Sequence, residues 1–317
     1  MKQAVQPEMM GSSPAFAAVL RAARLVAVTG ATVLIQGESG VGKELLARGI
    51  HAASPRCKAP FVPVNCAALS ETLVESELFG HSKGAFTGAV SERTGRIPAA
   101  HGGTLFLDEV GDMPWSVQAK MLRFLENGEC QSLGSELPRR VDVRVVAATN
   151  RDLSTLVASG QFRQDLFYRL QVVPLILPPL RERGGDLEPL ATAFLRFFAT
   201  RHSVSLPVFS RPALELMRRH AWPGNIRELR NLCERGVIFH AGQEIGVEFI
   251  HSQLAPHLPP VSGTLSLPSG GLSLDQLERD MILAALDRTR GNRTHAARLL
   301  DLSRDTLLYR MKKHALR

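Results

Sequence analysis

The octapeptide Gly37-Glu38-Ser39-Gly40-Val41-Gly42-Lys43-Glu44 restricts what this chain can fold into more than any other stretch. It follows a short apolar run, Thr32–Gln36, and opens onto helical periodicity over Glu44–Ala53. Glycines at these places let the backbone curl so that successive N–H groups point inward at phosphate oxygens. A helix N-terminus adds positive potential, and Lys43 can reach β and γ phosphates. The one departure from the general pattern is Glu44, which stands where a magnesium-binding hydroxyl is usual. Taken locally, a tight strand-to-helix turn with a surface lysine is the alternative.

A second run narrows the choice. Thr104–Asp108 is an apolar strand followed at once by Glu109. Behind a phosphate loop, Asp108 is placed to hold Mg²⁺ through water and Glu109 to orient and polarise an attacking water. Alone, paired acids at a strand end would equally suit a solvated loop. Together the two runs predict a nucleotide site taking ATP and Mg²⁺.

The spacing around them predicts an α/β domain over residues 8–178. Strands at Thr32–Gln36, Thr104–Asp108 and Val143–Thr149 alternate with helical patterns such as Ser116–Glu126, which argues for a parallel sheet covered on both faces. After Pro178–Asp186 the strand signals fade, and residues 179–252 read as a small all-helical domain. Leu187, Leu190, Phe194 and Phe198 recur at helical spacing. Ser210 with Pro212 starts a helix, and Trp222–Asn225 turns into another with Ile226, Leu229, Cys233 and Val237 on its apolar face. Residues 253–272 have a linker's composition, rich in Pro, Gly and Ser. Ser273 and Gln276 form a capping box for a last domain, 273–317, whose first helix carries Leu274, Leu277, Met281 and Ala284 on one side.

Charge marks that last domain. From Arg288 to Arg317 nine basic residues face two acids, which is +7 of the chain's formal +8. An excess confined to one end points to a polyanion partner. The four widely spaced cysteines (Cys57, Cys66, Cys130, Cys233) make no CxxC pair, and the histidines form no zinc spacing. We expect reduced thiols and no structural metal. No apolar run reaches bilayer length and no signal-peptide block opens the chain, so a cytoplasmic protein without membrane contact is expected.

These residues, with Gly84-Ala85-Phe86-Thr87-Gly88-Ala89, resemble the AAA+ domain of bacterial enhancer-binding proteins, the activators of sigma-54 RNA polymerase. The likeness runs from about Met10 to the linker and resumes at the C-terminal end. GESGVGKE, including Glu44, is that family's own form of the phosphate loop. The resemblance implies a P-loop AAA+ parallel-sheet domain with a helical lid. It implies that the Gly84–Ala89 hexapeptide tips a loop that contacts sigma-54 through Phe86 and Thr87. An exposed ring between flexible glycines suits a moving probe, a surface turn with Phe86 folded inward being the alternative. The resemblance further casts Asn65 as the residue that hydrogen-bonds Glu109, Thr149 and Asn150 as sensor I, Arg163 and Arg169 as arginine fingers, and Arg227 as sensor II. An arginine from a neighbouring subunit would stabilise charge on the γ-phosphoryl group only once a ring, expected to be hexameric, has assembled. Structural ion pairs within one chain are the alternative for both arginines. At Ser132 and Leu133 the chain departs from the arginine before a Val-Gly pair that the family often carries there.

Gly291–Arg310 reads as helix, tight turn, helix, with Ala296 and Ala297 at a close crossing, Leu300, Leu302 and Leu307 in a shared core, and Ser303 capping the second helix. It resembles the Fis-type helix-turn-helix of the same family. On that resemblance Arg304, Asp305 and Thr306 face base edges of double-stranded enhancer DNA, while Arg293, Arg310, Lys312 and Lys313 lie at the DNA surface. A charged cap on the ATPase is the alternative.

The expectation is therefore an ATP-dependent activator that remodels sigma-54 RNA polymerase holoenzyme. A regulator that keeps the fold but has lost remodelling, and an AAA+ machine with another substrate, are the competing classes. The intact hexapeptide disfavours the first, and the terminal helix-turn-helix disfavours the second. With the first strand about 30 residues from Met1, no receiver domain is expected ahead of it. Control would then come from a separate trans-acting partner or from expression level, unless the chain is part of a longer one.

Overall fold

The computed structural model describes residues 9–67, 71–85, 91–135, 137–254, 274–289, 291–314 and 316. Most of the Gly84–Ala89 hexapeptide (Phe86–Ala89), nearly all of the expected linker and Ser273 of the capping box lie outside the described residues. The chain divides into two compact units, Met1–Ala255 and Pro256–Arg317.

In the first unit the main sheet has five strands: β1 (Val33–Gln36), β2 (Phe61–Asn65), β3 (Thr104–Asp108), β4 (Arg144–Thr149) and β5 (Val173–Ile176). All neighbours are parallel, in the spatial order β2-β3-β4-β1-β5. Helix α1 (Pro14–Ala27) precedes β1. Parallel pairing needs crossovers, which run through α2 (Lys43–Ala52), α3 (Glu71–Phe79), α4 (Trp115–Asn127), α5 (Leu153–Ala158) and α6 (Gln164–Leu170). Side chains alternate between two cores. Leu34, Leu105, Leu107, Val145 and Ala147 face one, and Val33, Ile35, Phe106, Val146 and Ala148 the other. The continuous apolar runs of the central strands are thus buried on both faces.

The three central strands match the sequence reading, and the two edges were not foreseen. Each edge carries a proline, Pro63 or Pro174, which lacks the N–H that a central strand would need. Arg144, at the start of β4, is buried and donates to the carbonyls of Ala27 (2.6 Å) and Val26 (2.8 Å). It thereby satisfies the last turn of α1, where orphan carbonyls need partners.

The lid follows as α7 (Leu187–His202), α8 (Arg211–Arg219), α9 (Asn225–Phe239) and α10 (Val247–Leu254) around Trp222, Phe198, Leu229, Cys233 and Val237. Ser210 caps α8 by accepting the Ala213 N–H at 3.2 Å. A two-residue parallel pair, Val208–Phe209 with Glu244–Ile245, makes the lid slightly less than all-helical.

The second unit holds α11 (Leu274–Arg288), α12 (Arg293–Leu299) and α13 (Arg304–Lys313). Ile282, Ala285, Ala296, Ala297, Leu307 and Met311 form its core, with Leu300 and Leu302 packed against it. The buried side of α11 therefore differs from the stripe read in the sequence. Met281 and Ala284 are exposed, and the neighbouring Ile282 and Ala285 turn inward. Residues 281–286 are all apolar, so periodicity alone did not choose between two adjacent stripes. Caps fix the turn: the Asn292 side chain accepts the N–H groups of Thr294 and His295, and Ser303 accepts that of Thr306 at 3.1 Å. No helix among the described residues is long and apolar enough to cross a membrane.

Candidate functional site: a phosphate loop closed by the lid

Strand register lines up the residues singled out in the sequence. Asn65 lies beside Asp108 and Gln36 beside Thr149 at the carboxyl ends of the strands, where open parallel sheets bind ligands. Gly37 N–H donates to the Thr149 carbonyl at 3.3 Å. Gly42 caps α2 with φ 101°, a left-handed conformation that suits glycine. Lys43 is only 7% exposed. Its ammonium donates to the carbonyls of Gly37 (3.0 Å) and Glu38 (3.5 Å) and lies 3.4 Å from Glu109 Oε1.

Asp108 accepts the N–H of Glu109 at 3.1 Å. Burial pushes its carboxyl above the usual carboxylate range, the adjacent Glu109 charge adds to this, and Lys43 opposes it. Glu109 has φ 53°, an uncommon conformation for a residue with a side chain, of the kind that collects at functional sites. That twist presents its carboxylate to Lys43 and to the Asn150 N–H, 3.1 Å from Oε2. Asn65 does something other than expected: its Oδ1 accepts the N–H of Ala67 at 2.8 Å. No Asn65–Glu109 bond occurs among the described residues, because Lys43 and Asn150 hold that carboxylate and a local turn holds the amide. Thr149 is fully buried and accepts the Arg151 N–H at 3.0 Å. The Glu44 carboxylate is engaged by Arg48 at 2.7 Å.

The lid grips the loop from the other side. Arg227, at the start of α9, donates to Ser39 Oγ at 2.9 Å. Two residues that the sequence reading missed make further ties. Asn225 is fully buried with φ 50°. Its Nδ2 donates to Glu38 Oε2 (3.0 Å) and to the Ser39 carbonyl (3.1 Å), and its Oδ1 accepts Leu180 N–H (2.9 Å). Arg181 grips Glu38 with a two-pronged pair at 2.9 and 2.6 Å. Arg181, then Asn225, hold the Glu38 carboxyl below its ordinary range. At Gly40 a Cβ would stand 2.3 Å from the Gly224 carbonyl oxygen, so only glycine allows this approach of loop to lid. The signals available in the sequence were the WPGN turn and the PPLRERGGD run. Their partners lie well over a hundred residues away.

Between loop and lid is a cavity of about 310 Å³. Its lining combines polar groups, Lys43, Asp108, Glu109 and Arg227, with apolar ones, Phe16, Leu190, Phe194 and Ile226. Such a mixed lining fits a ligand that carries both a phosphate chain and an aromatic base.

Arg163 and Arg169 do not line this cavity. Arg163 opens α6 and borders a separate surface hollow with Trp115 and Tyr168. It makes a two-pronged pair with Asp165, at 3.1 and 2.8 Å. That pair holds the guanidinium above and the Asp165 carboxyl below their ordinary values. Arg169 is exposed and donates to the Leu125 carbonyl at 3.3 Å. Of the Gly84–Ala89 hexapeptide, Gly84 and Ala85 are described. Ser82 N–H donates to the Leu133 carbonyl and Leu133 N–H to the Gly80 carbonyl, both at 2.9 Å. Ser132 Oγ donates to the Phe79 carbonyl at 3.0 Å. The segment that departs from the family's usual arginine is thus bonded to the base of the hexapeptide loop.

In the second unit Arg293, Ser303, Arg304, Asp305 and Lys312 are exposed and Thr306 is half-buried. Arg310 and Lys313 are already occupied. Arg310 donates to Glu278 at 2.5 Å and Lys313 to Asp275 at 2.6 Å, with the Glu278 carboxylate also accepting from His314 at 2.9 Å. These contacts tie the end of α13 to the start of α11.

Comparison with known proteins agrees with this arrangement. Residues 9–176 match the sigma-54 interaction domain, 181–262 the AAA+ ATPase lid domain, and 273–314 the bacterial regulatory protein family of Fis type. The transcriptional regulatory protein ZraR of Klebsiella oxytoca is 49% identical over 313 residues, covering 98% of this chain and 70% of that one. The DNA-binding transcriptional regulator NtrC of Azospirillum brasilense is 45% identical over 331 residues, covering 95% and 68%. The crystal structure of NtrX from Brucella abortus in complex with ATP superposes with a TM-score of 0.76 at 32% identity, covering 98% of this chain and 70% of that one. A parallel α/β domain with its lid, an intact phosphate loop and a Fis-type helix-turn-helix occur together on one chain, which belongs to the AAA+ ATPases that act as sigma-54-dependent transcriptional activators.

Proposed function

We propose that this protein binds enhancer DNA through its second unit, assembles into a ring, and uses ATP hydrolysis to convert closed sigma-54 RNA polymerase complexes into open ones. In this reading ATP lies in the loop–lid cavity with its base against the apolar lining residues. Lys43 and Arg227 meet the phosphates, Asp108 holds Mg²⁺ through water, and Glu109 orients the attacking water. Thr149 and Asn150 sense the γ-phosphate. Asn65 takes over Glu109 once nucleotide draws Lys43 away from it. The Phe86-Thr87 tip of the hexapeptide loop carries the resulting movement to sigma-54. Residues 8–178, 179–252, 253–272 and 273–317 serve as ATPase, lid, linker and DNA-binding module.

One observation carries the ring. The cavity has a cation on the loop and cations on the lid, while Arg163 borders a separate hollow and Arg169 is absent from the cavity lining. This supports a reading in which the two arginines reach the γ-phosphate of a neighbouring protomer. The test is open-complex formation by purified sigma-54 holoenzyme with ATP. Thr87→Ala should leave hydrolysis largely intact and abolish open complexes. Open complexes formed at the parent level would refute the loop's role.

A further inference from the structure

We propose that the buried Arg183–Asp186 pair docks the segment Met9–Ser13 so that its Met9 and Met10 form part of the nucleotide cavity wall, which links docking of this segment to nucleotide affinity. The proposal rests on the reading that the loop–lid cavity takes a nucleotide.

Arg183 and Asp186 lie just before α7 and their side chains are each 1% exposed. Burying two charges is favourable only when further hydrogen bonds saturate them. Here the extra partners come largely from the beginning of the chain. Asp186 Oδ1 accepts the N–H of Ser12 (2.6 Å), the N–H of Ser13 (3.1 Å) and the Ser12 hydroxyl (3.3 Å). Arg183 donates from Nε to Asp186 (3.0 Å) and from Nη2 to the Met10 carbonyl (2.7 Å). Its guanidinium also lies 3.7 Å over the Phe16 ring.

The docked segment has little else to hold it. Met10, Gly11 and Ser12 are exposed, so apolar burial does not fix their place. Yet Met9, Met10, Phe16 and Arg183 line the same cavity as Lys43 and Asp108. A ligand that touches this wall favours the docked state, and by reciprocity a force that undocks the segment weakens the ligand. Arg183 and Asp186 are then positioning residues: they act on the nucleotide through the wall they hold.

Gly11 gives a direct handle. A Cβ there would stand 2.4 Å from Arg183 Nη2, 2.6 Å from Asp186 Oδ2 and 2.6 Å from Phe16 Cδ1. A side chain at this position must therefore separate the segment from the pair, by moving either the segment or the Arg183, Asp186 and Phe16 side chains. Gly184 is beside the same pair in sequence, and a Cβ there meets nothing within 4 Å, which makes Gly184→Ala a control.

The experiment uses the full chain with Gly11→Val, the milder Gly11→Ala, Asp186→Asn and Gly184→Ala. It measures ADP affinity by calorimetry, KM and kcat for ATP, and hydrogen exchange at the Ser12 and Ser13 amides with and without ADP. Loss of hydrogen bonds to a charged partner should raise the ADP Kd and the ATP KM of Gly11→Val about tenfold. Because uniform binding is what is removed, kcat should stay within about twofold. ADP should slow exchange at Ser12 and Ser13 in the parent and in Gly184→Ala, and much less in Gly11→Val. Gly11→Ala should shift the same quantities in the same direction, which covers the case in which valine or Asp186→Asn impairs folding. Unchanged ADP affinity in both Gly11 variants, or exchange at Ser12 and Ser13 indifferent to ADP, would overturn the linkage alone. A parent that binds no ADP would overturn the nucleotide reading, and the linkage with it.

Discussion

Lys43 and Arg163 are both cations assigned to phosphate chemistry, and the fold treats them in opposite ways. Lys43 is nearly enclosed, with two carbonyls and Glu109 around its ammonium. Arg163 sits at the surface, paired with an aspartate two residues along the chain. The first arrangement is held in place before any ligand arrives. The second is an exposed ion pair of a kind worth at most about 1 kcal/mol, and it can be exchanged at small cost for another anion. On the proposed reading, one chain builds a rigid half of a site and keeps the complementary half on a different surface, in a state that a neighbour's phosphates could recruit.

The sharpest way to break this comparison is Arg169→Ala or Arg163→Ala. If these arginines act across a protomer boundary, hydrolysis should fall by about 10³-fold with ADP affinity retained. Mixing either variant with Glu109→Gln should restore part of the activity; unchanged turnover in the single variants would make the arginines structural. Next in size is Asn225→Ala, which removes two hydrogen bonds to the loop and one to Leu180, and leaves the buried Leu180 N–H short of an acceptor. It should destabilise the unit by about 2–3 kcal/mol in urea melts and raise the ATP KM. A variant as stable as the parent would show that Arg181 and Arg227 suffice to hold the lid.

Asp108→Asn should separate stability from function. The folded-state pKa of Asp108 is raised, so its ionised form is disfavoured by the fold. Stability associated with its protonated form is present at low pH and is lost as pH rises through the ordinary carboxyl range to the raised value. The asparagine variant should therefore have a higher Tm than the parent at neutral pH, a similar Tm in acid, and no hydrolysis. A lower Tm at neutral pH would reverse the sign of the argument. The smallest effect belongs to Asp165→Asn. Releasing Arg163 from an exposed pair should change stability by less than about 1 kcal/mol and leave hydrolysis at or above the parent rate. A large loss of activity would mean that Asp165 aims the arginine instead of merely parking it.

What could be read in the sequence follows from how local each signal is. The P-loop, the Asp108-Glu109 strand end and the Ser303 cap are decided by residues within a few positions of one another. The edge strands escaped because Pro63 and Pro174 look like strand breakers until each is seen at a sheet edge. Asn225, Arg181 and the Arg183–Asp186 pair escaped for a different reason. Their meaning comes from partners 143 to 187 residues distant, and no periodicity encodes that. The stripe on α11 was misplaced because six consecutive apolar residues fit two helical faces equally well.

The cross-braces between α11 and α13 bear on how the second unit would meet nucleic acid. The first helix of that unit carries Asp275, Glu278, Asp280 and Asp287, and two of these acids already neutralise Arg310 and Lys313. A cation that must leave a carboxylate to reach a phosphate releases fewer counterions on binding than a bare one. Affinity should therefore decline less steeply with added salt than the nine basic residues of the tail suggest, with Arg293, Arg304 and Lys312 contributing most of the dependence.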